Sequence, residues 1–155
     1  MKLNLGGGSL KISGFLNLDL CEGADVKFDL YNTLPYPDGS VEEIVAIHVI
    51  ESFYKWEFPA ILKDWRRALM PGGKLIIEFT ELTAAINLYL KGNIYGMWGI
   101  YGNQDKAIPH CVTHHYVYEK EELKNLLLVC GFKNLNFTKE HVSHVPERDW
   151  RVICS

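Results

Sequence analysis

The chain has few of the sequence features that are typical of disulfide-rich, nucleic-acid-binding or membrane-spanning proteins. Its four cysteines, among 155 residues, lie far apart and form no CxxC pair, so we expect no disulfide framework. It has no run of basic residues and a net charge of −3, which argues against a general grip on nucleic-acid phosphates. It has no apolar stretch long enough to span a bilayer. We therefore expect neither nucleic acid nor a membrane as a partner.

We expect no secretion signal at the start of this sequence. The first residues, MKLNLGGG, lead directly into a short strand and a turn, whereas a signal peptide needs a longer apolar core. Scattered cysteines in apolar segments fit a reducing compartment, so we expect a cytoplasmic protein. A length of 155 residues is typical of one domain, and we expect a single domain over residues 1–155.

Strand and helix patterns alternate along the chain. Apolar runs predict strands at residues 3–5, 15–20, 25–30, 43–48, 74–79, 132–138 and 150–154. Helical spacing predicts one helix from Pro59 to Leu69 and another from Glu119 to Cys130. Residues 81–91 are weakly helical, and residues 92–118 form a long, aromatic, irregular segment. This order predicts an α/β fold with a mainly parallel sheet covered on both faces.

A glycine turn follows the first strand. Ligands of parallel sheets bind at the carboxyl ends of the strands, beside the first strand, which is where Gly6, Gly7 and Gly8 lie. Glycine lets a cofactor approach the backbone and permits positive φ. Asp19, at the end of the second strand, can accept hydrogen bonds from both hydroxyls of a ribose. The alternative is a plain tight turn with Asp19 capping a loop, and the residues alone leave both interpretations open.

The same turn does not match a dinucleotide site. The third glycine of the GxGxxG fingerprint is replaced by Lys11, and the connection to the second strand leaves little room for the usual first helix. A nicotinamide or flavin cofactor is therefore disfavoured. A nicotinamide oxidoreductase of the same layered fold stays as the weakest of three hypotheses.

Several segments taken together resemble class I S-adenosylmethionine-dependent methyltransferases. The chain is similar to small members of their type-11 group that begin directly at the first strand. The resemblance covers almost the whole chain and implies a three-layer Rossmann-like sheet, mostly parallel, with an antiparallel last strand. Two positions depart from the pattern, because Gly7 stands where cysteine is common and Ser52 where histidine is common. The resemblance is carried by residues 3–8, 14–19, 29–30, 34–40, 48–51, 62–73 and 131–132.

The resemblance implies a set of cofactor residues for S-adenosylmethionine, with S-adenosylhomocysteine as product. The glycine turn would pass beneath the methionine and ribose portions, and the carboxylate after the second strand would hold the ribose. The next acidic residue and its neighbour would flank the adenine, and the histidine after the fourth strand would lie beside the transferred methyl. The set is Leu5, Gly6, Gly7, Gly8, Asp19, Asp29, Leu30 and His48.

The long segment after residue 92 supplies candidates for catalysis and for closing the site. Methyl transfer needs an aligned nucleophile, exclusion of water and, for some acceptors, removal of a proton. The catalytic candidates are His48, His114 and His115; packing or surface histidines are the alternative. His110, His114 and His115 also have metal-like spacing, but no cysteine or carboxylate motif completes a site, so we expect no metal. We expect a lid or acceptor loop at about 92–118. The candidates for contacting the substrate or closing the site are Glu51, Tyr95, Trp98 and Tyr101, with core packing or helix capping as the alternative.

Two functional hypotheses stand above the third. In the first, the protein is an enzyme that moves a methyl group from S-adenosylmethionine to a small polar acceptor, such as a hydroxyl of a sugar or metabolite. In the second, it is a non-catalytic module of the same fold that acts as a partner subunit or scaffold. Because little chain lies outside the cofactor fold, we also expect an acceptor pocket that is either shallow or completed by the second subunit of a homodimer.

Overall fold

Seven strands form one mixed sheet in the computed structural model, which describes residues 1–103, 113–140 and 142–155. The order across the sheet is β3-β2-β1-β4-β5-β7-β6. The first five strands are parallel, and β7 runs antiparallel to both β5 and β6. The predicted α/β sheet with an antiparallel last strand is confirmed. The strands are β1 Lys2–Leu5, β2 Leu16–Asp19, β3 Val26–Lys27, β4 Val41–Ile47, β5 Leu69–Thr80, β6 Asn136–Thr138 and β7 Asp149–Cys154.

Four α-helices connect the later strands. Pro59 lies in the first turn of α1, where a missing N–H costs nothing, and Ile61, Leu62 and Trp65 form its buried stripe. The sequence 70–73 does end this helix as predicted, but it lies in an irregular first part of β5, where the register with β4 shifts. The helices are α1 Phe58–Ala68, α2 Leu82–Leu90, α3 Ile94–Tyr101 and α4 Lys120–Val129, and a 3-10 turn spans Ile50–Ser52.

The prediction of an irregular segment from residue 92 to 118 is wrong at its start, because α3 lies there. Asn93 caps this helix by accepting a hydrogen bond from the N–H of Tyr95. Two glycines that lower helix propensity instead allow close packing. A Cβ at Gly96 would lie 2.4 Å from the carbonyl oxygen of Ala85 in α2. Tertiary contact between α2 and α3 therefore outweighs the local preference.

The two faces of the sheet differ in polarity. One face carries alternating apolar residues, among them Leu5, Ala46 and Ile77, which form a single apolar cluster with side chains of α1 and α4. The opposite face carries Asn4 and Thr80 among its buried polar residues, and Gly99 of α3 packs directly on Thr80. Between β1 and β2 the chain forms a loop where this fold class commonly has a helix. The carboxyl end of the sheet is consequently open beside β1.

Candidate functional site

A cavity of about 340 Å³ lies at the carboxyl ends of β1, β2 and β4. Its volume is in the range of small-molecule sites, and its position is the one expected for ligands of parallel sheets. Six residues singled out from the sequence line it: Gly6, Asp19, Asp29, Leu30, His48 and His115. The remaining walls come from Leu20, Phe28, Tyr31, Val49, Ser52, Phe53 and Thr113.

The glycine turn has the conformation that requires glycine. Gly6 has φ of +63° and Gly8 of +54°, in the left-handed region that side chains disfavour. A Cβ on Gly6 would lie 2.6 Å from a methyl carbon of Val49, so only glycine fits between the turn and the residue after β4. Next to Gly8 nothing lies within 4 Å of a hypothetical Cβ. Backbone therefore borders the cavity at Gly6, as predicted, and the corner is not filled by side chains.

Two buried asparagines brace this turn. The Asn4 amide donates to the carbonyl of Leu10 (2.8 Å) and to the Asn17 side-chain oxygen (3.3 Å). Asn17 in turn donates to the carbonyl of Gly8 at 2.9 Å. A Cβ on Gly7 would lie 2.2 Å from Asn4 Nδ2, so the space that a cysteine would need is taken by this pair. The sequence signal for the brace was a polar residue inside each of two short apolar strands.

Asp19 faces the glycine turn. Its Oδ2 accepts from the N–H of Gly8 at 2.7 Å, and its Oδ1 accepts from the N–H of Cys21 at 2.8 Å. Each carboxylate oxygen keeps a second acceptor position, and the side chain lines the cavity. The predicted pairing of bare backbone with a carboxylate on the neighbouring strand is thus present in the structure.

The far end of the cavity combines apolar walls with one carboxylate. Phe28 and Leu30 are half-buried and pack on the core cluster, while Asp29 accepts a hydrogen bond from the N–H of Tyr31. Tyr31 packs edge-on against Phe53, with ring centroids 5.2 Å apart, and donates its hydroxyl to the carbonyl of Ser52. This end suits a flat heteroaromatic ring that bears an exocyclic amine.

His48 lies at the floor of the cavity in a strained conformation. Its φ of +51° is rare for a residue with a side chain. Its Nδ1 hydrogen-bonds Glu51 at 3.3 Å, and its Nε2 forms an ion pair with Asp149 at 3.2 Å. Burial by itself would lower the pKa of His48, but the carboxylates of Asp149 and Glu51 outweigh it and raise the pKa to about 10. His48 is therefore an imidazolium at neutral pH.

The charges around His48 balance within the protein. Glu51, Glu78 and Asp149 are fully buried, and burial would raise the pKa of Asp149, but His48 and Arg148 bring it down to about 2. Arg148 hydrogen-bonds Asp149, and Arg151 donates to Glu78 at 2.9 Å. Three carboxylates thus meet three cations. This neutrality is what makes such a buried cluster tolerable.

A metal-like triad falls inside this cluster. Ligand atoms of His48, Glu78 and His144 lie within 4.8 Å of one another. However, Glu78 already accepts from the N–H and hydroxyl of Ser143 and from Arg151, so its carboxylate is engaged within the protein. We assign this triad to the ionic network.

The other catalytic candidates lie on the segment that follows residue 112. The ring of His115 lines the cavity and stacks on Tyr54 with centroids 4.1 Å apart, and Tyr54 stacks on Trp56. The N–H of His115 donates to the carbonyl of Glu51 at 2.7 Å, which ties the segment to the end of β4. His114 is turned away, with Nδ1 2.8 Å from the carbonyl of Gly99 in α3. His110, Cys111 and His141 lie outside the described residues.

Several predicted residues do not line the cavity. The Leu5 side chain is in the apolar core, and Glu51 is buried behind His48, where it accepts from the N–H of Thr80 at 2.7 Å. Gly7 and Gly8 shape the turn without bordering the cavity. The lid candidates Tyr95, Trp98 and Tyr101 are on α3, where Tyr95 and Tyr101 are exposed and Trp98 is half-buried.

Part of the sequence matches a known protein family. Residues 17–77, from β2 to β5, match the model of a family described as a methyltransferase domain. Over these residues the chain resembles that family. No protein of curated function matches the sequence. The match and the shared fold agree with the predicted class, an S-adenosylmethionine-dependent methyltransferase of the class I type, and with S-adenosylmethionine as the predicted cofactor.

Solved structures share the methyltransferase fold over 99% of this chain. One is an S-adenosylmethionine-dependent methyltransferase from Archaeoglobus fulgidus, 16% identical, with a TM-score of 0.65 and 84% of its own length covered. The PH0226 protein of Pyrococcus horikoshii is 19% identical, with a TM-score of 0.67 and 80% covered. A DhpI complex with S-adenosylmethionine is 15% identical, with a TM-score of 0.64 and 77% covered. Among the described residues, no helix is long and apolar enough to cross a membrane.

Proposed function

We propose that this methyltransferase transfers the methyl group of S-adenosylmethionine to a hydroxyl of a small polar acceptor, such as a sugar or metabolite, in the cytoplasm. The polarity of the cavity supports this proposal. Besides Asp19 and the glycine turn, the lining includes the neutral polar side chains of Ser52 and Thr113 together with His115. The charge of His48 is already neutralised by its carboxylate neighbours. Among the lining residues that the structure describes, those around Ser52, Thr113 and His115 include no Asp, Glu, Lys or Arg to pair with a charged acceptor group.

The residues of the cavity fit the cofactor part by part. The backbone at Gly6 admits close approach because no Cβ is present, and Asp19 has free acceptor positions for two ribose hydroxyls. Leu30 supplies an apolar wall for the adenine, and Asp29 an acceptor for its amine. When bound, S-adenosylmethionine supplies an electrophilic methyl group. The protein then has to align the acceptor hydroxyl and accept its proton.

His115 is the residue that we assign to proton acceptance. Its ring borders the cavity, and the stack with Tyr54 holds it in place. His48 is poorly suited to this role, because its raised pKa keeps the ring protonated and both nitrogens lie within ion-pair distance of carboxylates. We assign His48 a positioning role instead: it holds the residues after β4 in the conformation that forms the cavity floor.

Calorimetry with S-adenosylhomocysteine tests the cofactor part of this proposal. We expect measurable binding by the wild-type protein and a loss of about 1–3 kcal/mol in Asp19→Ala, because the ribose loses its hydrogen-bond acceptors. Glu22→Ala is the matched control, since Glu22 is an exposed carboxylate three residues away that does not line the cavity. Equal affinities of the two variants would remove Asp19 from the site, and no binding by the folded wild type would leave the non-catalytic module as the better hypothesis.

Turnover assays test the assignment of His115. With a panel of sugars and other hydroxyl-bearing metabolites, we expect formation of S-adenosylhomocysteine, and we expect His115→Gln to lower kcat by about 10²–10⁴-fold because the general base is lost. His114→Gln is the matched comparison, because it changes the adjacent histidine that points at Gly99. S-Adenosylhomocysteine affinity should stay unchanged in both. A larger loss of kcat in His114→Gln would transfer the role to His114.

A further inference from the structure

The hairpin formed by α2 and α3 exposes a large apolar surface. Leu90 is 75% exposed, and five other large side chains are 41–57% exposed: Ile86, Tyr89, Ile94, Tyr95 and Tyr101. All residues from 89 to 95 are exposed, so the turn between the helices projects from the protein. A contiguous apolar surface of this kind on a folded domain generally marks a contact site.

The exposed residues have helical spacing. On α2 they are Ile86, Tyr89 and Leu90, and on α3 Ile94 and Tyr101 lie two turns apart on one stripe. The inner sides of the same helices are already packed, at Ala85 in α2 and at Gly96 and Gly99 in α3. Each helix is therefore apolar on two sides. A helix that is apolar all round is normally covered all round.

The hairpin differs from the rest of the chain in charge. Residues 82–103 contain no aspartate or glutamate and a single basic residue, Lys91, whereas the chain has a net charge of −3. Two copies of the chain repel each other through their acidic surfaces. The hairpin is a surface on which they can meet without burying like charges.

The exposed apolar area is adequate for such a contact. With roughly 200 Å² for each aliphatic residue and roughly 250 Å² for each tyrosine, the exposed fractions of these six residues amount to about 700 Å² per copy. A stable interface of standard size buries about 800 Å² per partner. The polar neighbours of the hairpin, such as Asn87 and Lys91, can supply the remainder at the rim.

We infer that the α2–α3 hairpin is the surface through which two copies of this chain form a homodimer. A twofold axis brings the same patch of both copies together, so that residue i of one meets residue j of the other and the reverse. Two antiparallel helix pairs then form a four-helix layer, an arrangement that buries apolar stripes of this spacing.

This dimer contact reaches the cavity through α3. The carbonyl of Tyr95 accepts a hydrogen bond from Arg148 at 2.8 Å, and Arg148 belongs to the ionic network of His48. The carbonyl of Gly99 lies 2.8 Å from the ring of His114, next to His115. Covering the outer side of α3 would restrain both connections without placing a partner residue in the cavity.

Light scattering after size-exclusion chromatography, over a concentration series, tests the inference. We expect the mass of two chains at tens of micromolar, as for a standard-sized interface, and dissociation on dilution. The double variant Leu90→Asp, Ile94→Asp should weaken association by at least about 100-fold, because it buries two carboxylates from each copy at the centre of the contact. Val129→Asp is the matched control, since Val129 is 78% exposed on α4, outside the hairpin.

A second measurement separates association from misfolding. Circular dichroism of the double variant should match the wild type, and S-adenosylhomocysteine should still raise its Tm, because the cavity lies outside the substituted turn. In the wild type, amide exchange in residues 89–95 should slow as concentration rises. A wild-type protein that is monomeric at every concentration, or a folded double variant that dimerises as well as Val129→Asp, would overturn the inference while leaving the proposed activity standing.

Discussion

At the scale of single residues, His48 has a chemistry that its neighbours determine. A free imidazole is partly protonated and partly neutral near neutral pH. Between Glu51 and Asp149 it stays protonated, and the positive φ that it adopts is held in place by these two ion pairs. The ion pairs stabilise the strained backbone of His48, and the His48 cation in turn neutralises the buried carboxylates. Removing the cation would leave these carboxylates without a partner.

The pKa of His48 predicts how stability depends on pH. Its folded-state pKa of about 10 lies above the ordinary histidine value of 6.5, so its contribution to stability is complete below about pH 6.5 and is lost as pH rises toward 10. We expect His48→Gln to reduce the free energy of unfolding at pH 6 by about 3–5 kcal/mol. The difference from wild type should shrink steadily up to pH 10, as measured by urea denaturation at several pH values.

His144→Gln is the comparison for this prediction. His144 packs edge-on against the His48 ring, with centroids 4.6 Å apart, but its side chain is half exposed. We expect it to change the free energy of unfolding by less than about 1 kcal/mol. A cost for His48→Gln that is the same at pH 6 and pH 10 would show that the residue acts by packing and not by charge.

At the scale of elements, the loop between β1 and β2 replaces a helix and needs its own support. Asn4 and Asn17 supply it, since both are buried and both hydrogen-bond the loop. In a helix the backbone groups would satisfy one another, whereas in a loop side chains must do so. These hydrogen bonds hold the short turn beside the cavity in its conformation.

Substitution within the turn tests this support. We expect Gly7→Ala to lower the free energy of unfolding by about 1–3 kcal/mol, because its Cβ displaces the asparagine pair from their hydrogen bonds. Gly8→Ala is the comparison, with positive φ but open space around it, and should cost about 1 kcal/mol through backbone strain alone. Guanidinium denaturation of both variants measures the difference. A Gly7→Ala variant as stable as Gly8→Ala would mean that the asparagines can move aside without a loss of stability.

Local patterns predicted most elements but not α3. The short, mainly apolar runs of the buried strands β1, β2 and β4 and the apolar stripe of α1 are visible in the sequence itself. The glycines and aromatic residues of α3 lack such a stripe. What stabilises α3 is close contact of Gly96 with the preceding helix α2 and of Gly99 with Thr80 and Arg148. Of these partners, Arg148 lies far away along the chain.

At the scale of the whole molecule, the exposed apolar residues of the hairpin and the buried ions around His48 lie in separate but adjacent regions. The acid-free hairpin lies at one end of the sheet's polar face, and the buried ions of the His48 network lie behind it. The cavity, the network and the hairpin are therefore in contact through α3. A homodimer formed through the hairpin would make the order of this region depend on protein concentration.

The sequence by itself determined the fold class, the glycine turn and the facing carboxylate of Asp19, because period, turn chemistry and spacing are local properties of the chain. Only the tertiary structure decided the roles of the histidines and of α3. The protonation of His48 depends on Asp149, a hundred residues away, and the helix at residues 94–101 depends on packing against α2 and β5. Long-range electrostatics and packing act between segments that no local pattern connects.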